Sequence, residues 1–277
     1  MQSFQCLSTF VFYVIFKFLF FSEVTSIAST HPIFNQDPSE FIPEIVKALD
    51  DEDPVIVNEA LHLLERTVKK DQFNPRFFSA MVRSRDLIQA IVNATNKAYA
   101  IMYDTNGVDT NEARCALEAA QKRARISTDI LRSMANREGI ACEGIVSSCG
   151  IYALTLLLPS LLERIKYNCV LTIHTILTSL HERVNGRMNP DKKQLREEAK
   201  KQFRDGDGIK NMVDSLKSNN PKLLAVACDC LYYVVLYDKR SKEIILHEKG
   251  TEQALEILQK ATYPNLIERV LKLLQGK

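Results

Sequence analysis

The sequence predicts an all-α fold, a solenoid of stacked helical repeats, and three observations carry that prediction. Between Gly208 and Lys249 the apolar residues Ile209, Met212, Val213 and Leu216, then Leu223, Ala227, Cys230, Leu231 and Val234, recur three and four apart, the spacing of one helix face. The pattern restarts at Gly250, 42 residues after Gly208, and a helical unit that recurs at this interval buries its apolar side only against its neighbours. Composition agrees: the chain is 46% hydrophobic and 25% charged, and its Leu, Ile, Val and Ala lack the alternation of half-buried strands.

Residues 1–33 stand apart from the array assigned to residues 34–277. Eight of the 13 phenylalanines fall within the first 34 positions, and the run Phe10–Phe21 is apolar except for Lys17. Its 12 residues are short of the roughly 20 that span a bilayer. Ser26-Ile27-Ala28 resembles a small-residue cleavage site, so a secreted or membrane-tethered protein directed by residues 1–28 is the alternative reading. Met1–Ser8 lacks the Lys or Arg that such a signal carries at its start, and a misassigned amino terminus explains the segment equally well.

From Phe41 the units follow in order. Ile42, Ile45, Val46 and Leu49 form an amphipathic helix, Asp50 to Pro54 break it, and Val55, Val57, Leu61, Leu64 and Val68 face inward along the next. Pro54 suits a first helical turn. Arg76 to Arg83 supplies a third helix, so Phe41–Ser84 is one unit. The second opens at Arg85 and is swollen, with an Asn106-Gly107 turn and extra helical sequence before Ile130 and Met134. A third begins at Gly150, with Ile151, Leu154, Leu158, Ile165, Cys169, Ile173, Ile176 and Leu180 at helical spacing. Gly208 lies 58 residues further on, and the surplus over 42 falls in the polar stretch RVNGRMNPDKKQLREE, read as an exposed loop. The fifth unit stops at Lys277 without a polar capping helix, so a truncated array is expected.

Charge and cysteines exclude several classes. A net charge of +2 calls for no nucleic acid partner. The seven cysteines show no paired spacing; Cys228 and Cys230, two apart on one helix, read as core rather than as half a metal site. His174, His181 and His247 sit in different units, and His181-Glu182 lacks the second histidine of a zinc hydrolase motif. No catalytic residue, cofactor, metal or small-molecule substrate is assigned.

A 42-residue helical period falls in the range of armadillo or HEAT arrays, and the residues narrow the choice. LLAVACDCLYYVVLYDKRSKEIIL, IPEIVKALDDEDPVIVNEA and ERVLKLL resemble the armadillo repeats of the β-catenin family, over its first four repeats and part of the fifth. The resemblance implies a right-handed superhelix whose third helices line a groove for extended acidic segments, namely cadherin cytoplasmic tails and T-cell-factor-class transcription factors. It places Lys242 where the family anchors a ligand carboxylate, and Lys222, His174, Arg269 and Lys272 at further groove positions. It also places a helical coactivator on Glu44, Ile45, Asp51 and Asp53, although Ala48 replaces a larger apolar residue there and DDED reads equally as an acidic interhelical turn. The stretch preceding the first repeat shows no match to the helix that binds α-catenin. Armadillo transport adaptors carry groove Trp and Asn; the corresponding positions here are Arg66, Ser133, Thr175 and Tyr233, and the chain has no Trp.

Overall fold

A computed structural model describes residues 37–69, 75–184, 187–216, 218, 220–248 and 268. The hydrophobic amino-terminal segment with its signal-like features, and Arg269 and Lys272, lie outside the described residues. Twelve α-helices are described: α1 Pro38–Leu49, α2 Pro54–Val68, α3 Pro75–Arg83, α4 Arg85–Asp104, α5 Asn111–Arg137, α6 Gly139–Ser147, α7 Gly150–Leu156, α8 Glu163–Leu180, α9 Lys193–Asp205, α10 Gly208–Ser215, α11 Pro221–Val235 and α12 Lys239–His247. Among the described residues no single helix is long and apolar enough to cross a membrane.

Local chemistry sets where these helices start. Asp37, Asp53 and Asn220 each precede a proline at the first helical position, and each side chain accepts a main-chain N–H two residues on, at 3.0, 2.8 and 3.1 Å. The proline removes a donor that would otherwise be orphaned, and the carboxylate or amide satisfies another. Ser84, Thr110 and Asp238 cap α4, α5 and α12 without proline, each accepting the main-chain N–H three residues on.

The expected unit starts at Arg85, Gly150 and Gly208 coincide with the first residues of α4, α7 and α10. Each complete unit is a triplet, α1–α3, α4–α6, α7–α9 and α10–α12, and equivalent helices of successive units lie side by side. The layer α2, α5, α8, α11 is continuous, and α1, α4, α7 and α10 form a second layer. Leu61, Leu64, Ile91, Ile130, Leu154, Ile173, Ala227 and Leu231 are wholly buried between the layers. This is the α-solenoid the spacing predicts. The swollen second unit consists of two lengthened helices, α4 and α5, around the Asn106-Gly107 turn, where Gly107 takes φ +81°. Val55, expected to face inward, is 55% exposed at the first turn of α2.

Two corners repeat with the same geometry. Cys149 and Asp207 adopt left-handed φ of 57° and 55°, and each is followed by a glycine. A Cβ on Gly150 would sit 2.8 Å from the Ile145 carbonyl oxygen, and one on Gly208 2.5 Å from that of Phe203. Glycine is therefore required at both corners by the closeness of the preceding helix.

The polar stretch read as an exposed loop is largely structured. Arg183–Val184 pairs antiparallel with Arg187–Met188, Pro190–Lys192 forms a 3-10 turn, and α9 begins at Lys193. The charges of α9 turn inward. Arg196 is 4% exposed and donates to the carbonyls of Leu180 (3.0 Å) and Asn189 (2.9 Å). Buried Lys200 donates to the Leu236 carbonyl, Gln202 to that of Val146 (2.8 Å), and Lys192 to that of Ser179 (3.2 Å). Arg204 pairs with Asp238, the cap of α12. One polar helix thus satisfies the orphan carbonyls at the ends of α6, α8 and α11, and at α8 and α11 the donor is a cation that also complements the helix dipole.

Candidate functional site

The long helices α2, α5, α8 and α11 meet at three seams, and polar side chains cross each one. At the α2–α5 seam Glu65 is 4% exposed and gathers Lys69 (3.3 Å), Arg125 (3.3 Å) and His62 (3.3 Å). Burial pushes its carboxyl up, but the neighbouring Lys69 and Arg125 outweigh this and hold it below the ordinary carboxylate value. Nearby, Arg123 lies 3.5 Å from Asn58, and Arg137 donates to the Val68 carbonyl at 3.2 Å, closing the end of α2.

The α5–α8 seam repeats the arrangement. Asp129, 7% exposed, takes Arg132 of its own helix at 2.7 Å and Arg164 of α8 at 3.3 Å. Thr128 with Asn168 (3.4 Å) and Asn136 with Thr175 (2.8 Å) cross the same seam. The α8–α11 seam differs. His174 Nε2 lies 2.7 Å from Asp229 Oδ2, both side chains about one quarter exposed, with the Tyr233 ring 6.3 Å from the imidazole. The His181 ring, at the end of α8, lies 5.2 Å from that of Tyr233, tilted by 43°, and donates Nδ1–H to the Leu177 carbonyl at 2.7 Å. Burial holds its pKa down to about 4, so it stays neutral.

The chain is 31% identical over 261 residues to junction plakoglobin of Xenopus laevis, and equally to that of Homo sapiens, matching 91% of its own length. It is 30% identical to catenin beta of Urechis caupo over 236 residues. The chain is a β-catenin-like armadillo-repeat protein. It spans about 30% of the length of the plakoglobins it matches and 24% of that of the catenin beta. A solved structure concerned with the phosphorylation switch in the cadherin–β-catenin interaction superposes with a TM-score of 0.58 at 22% identity, over 83% of this chain and 36% of the other. At that identity it speaks to the fold alone. No family model matches.

In the β-catenin-like array the expected groove residues do not form one cluster. His174 lies mid-seam with Asp229 as its partner. Lys222 is exposed at the start of α11, two turns before Asp229 on the same helix face. Lys242 is partly exposed on the first turn of α12, beyond the other end of α11, so the two lysines flank a helix about 22 Å long. On the outer surface, Ile45 is 2% exposed and belongs to the core. Asp51 accepts from Asp53 N–H at 2.8 Å and Asp53 caps α2, which makes the pair a turn-forming device. Glu44 alone of the four projects without such a role, exposed on α1.

Sequence reading missed the seam residues Glu65, Arg125, Asp129, Arg132, Arg164 and Asp229. Glu65 with Lys69 and Asp129 with Arg132 carry a local signal, opposite charges three or four apart on a helix. Their cross-helix partners, 60 and 35 positions away, carry none.

Proposed function

We propose that the chain is an adaptor whose layer of long helices α2, α5, α8 and α11 holds an extended acidic segment of a partner protein, cadherin cytoplasmic tails being the first candidate and T-cell-factor-class transcription factors the second. This places it on the cytoplasmic side of cell junctions, with a nuclear role if the second partner applies. The observation that supports the reading is the excess of cations at the first two seams. Each presents two positive groups for one carboxylate, Lys69 and Arg125 around Glu65, Arg132 and Arg164 around Asp129. Guanidinium groups already oriented by a carboxylate lose little freedom on meeting a second one, and partial burial strengthens the attraction.

With Ile45 in the core, the α1–α2 corner lacks the apolar anchor a helical partner needs, and we place no partner on Glu44, Asp51 and Asp53. The test of the groove is fluorescence anisotropy of the full chain with an acidic cadherin-tail peptide. Binding should weaken steeply with salt, and Lys242→Glu should weaken it about tenfold. Binding that ignores salt, or is equal in Lys242→Glu, removes the assignment.

A further inference from the structure

The three seams do not carry the same charge, and the difference bears on what sequence the groove accepts. The first and second each hold two permanent cations against one carboxylate. The third holds Asp229 against His174 alone. With a neutral imidazole the third seam is negative; with a protonated one it has no net charge. In neither state does it offer the surplus positive charge of the other two. Thr178, whose hydroxyl lies 3.5 Å from His174 Nε2, and Tyr233 add hydrogen-bonding groups but no cation. Past this seam positive charge resumes, with Lys222 at the head of α11 and Lys242 on α12.

Building on the proposed acidic-segment groove, we infer that Asp229 is a specificity residue that imposes a gap in the ligand's acidic run. The ligand carries carboxylates where it crosses the α2–α5 and α5–α8 seams, and a neutral or hydrogen-bond-donating residue where it crosses α8–α11. The physical basis is that a carboxylate set against Asp229 is repelled, and like charges facing each other at an interface select against a wrong partner more effectively than a missing contact does. A donor such as a Ser, Thr or Asn side chain is instead received by the Asp229 carboxylate. The third seam thereby sets the ligand's register along the groove.

The test uses the full chain and a fluorescein-labelled peptide of 16 aspartates, which sets a carboxylate at every seam, in low salt. Asp229→Asn removes the repulsion and should tighten binding about three- to tenfold. His174→Lys, which converts the seam to a permanent cation against one carboxylate, should tighten it as well, whereas His174→Ala should weaken it. A second peptide with its central two Asp replaced by Asn should bind the wild type more tightly than its lower charge predicts, and lose that advantage on Asp229→Asn. If wild type binds the oligo-aspartate in a salt-sensitive way while Asp229→Asn and His174→Lys leave the affinity unchanged, the gap is wrong and the groove reading stands. If Asp229→Asn fails to fold, His174→Lys decides. Absence of any salt-sensitive binding by the wild type overturns both.

Discussion

Arg196 of α9 donates Nη1 to the main-chain oxygen of Leu180, the last residue of α8, at 3.0 Å, and to that of Asn189 at 2.9 Å. Its side chain is buried, so these carbonyls have no ready exchange with water. Replacing it by Met keeps the volume and strands both acceptors. Each buried group left unpaired costs about 1–3 kcal/mol, and Arg196→Met should lower stability by about 2–4 kcal/mol in urea unfolding followed by circular dichroism. An exposed cation of the same helix, Lys201, should cost under about 0.5 kcal/mol when changed in the same way.

The two glycine corners should tolerate a methyl group far less than the turn at Gly107. Gly208→Ala drives a Cβ to 2.5 Å from a main-chain oxygen that has nowhere to go, whereas Gly107→Ala meets open space and bears only the left-handed backbone penalty. Overpacking costs about 1–3 kcal/mol and the left-handed penalty about 1–2. Gly208→Ala and Gly150→Ala should therefore lower the melting temperature further than Gly107→Ala does.

Acid should destabilise the array earlier than carboxylates alone would dictate. His181 has a folded pKa of about 4 against an ordinary 6.5. Between those values the unfolded chain takes up a proton that the folded chain refuses, so stability falls as pH falls through that window. Glu65 and Asp238 have folded pKa values held below their ordinary ones, by Lys69 and Arg125 in the first case and by the Ser241 hydrogen bonds and Arg204 in the second, each outweighing burial. Their contribution is present above the unfolded carboxylate range and disappears below it, which extends the decline further into acid. A melting series from pH 7.5 to 4.5 should drop steadily, and His181→Gln should flatten the part above pH 5.

Thiol chemistry should divide the cysteines by burial. Cys115 and Cys149 are exposed; Cys142, Cys169, Cys228 and Cys230 are buried. Burial pushes the Cys142 thiol up to about 11 and Cys228 up to about 12, where the reactive thiolate is vanishingly rare at neutral pH. Peptide mapping after brief alkylation of the native chain should find label on Cys115 and Cys149 and none on the other four until denaturant is added. Early labelling of Cys230 would mean that the α8–α11 packing opens readily.

What was legible in the sequence was whatever the apolar period controls. Leu61, Leu64, Ile173, Ile176, Leu231 and Val234 announced their helices because burying hydrocarbon is what those helices do, and the unit starts at Arg85, Gly150 and Gly208 followed from the same spacing. Helix α9 escaped because its inward face is built from Arg196, Lys200 and Gln202 as much as from Ala199 and Phe203, and charged side chains that cap buried carbonyls look like a solvated face in sequence. The i, i+4, i+8 run of Leu195, Ala199 and Phe203 was the available signal. The groove was legible as positions, since a resemblance transfers positions. The partners that determine each position's charge were not, because Glu65 meets Arg125, Asp129 meets Arg164 and His174 meets Asp229 only after the long helices have stacked.

Helix α9 has a mechanical implication. Between Lys192 and Arg204 it grips the trailing end of α8, the trailing end of α11 and the leading turn of α12, so peeling either neighbouring unit away means tearing the same rivet. Under load from an attached partner, these units should rip as a single step rather than shed one layer at a time, and a single-molecule extension trace would register them as one long event.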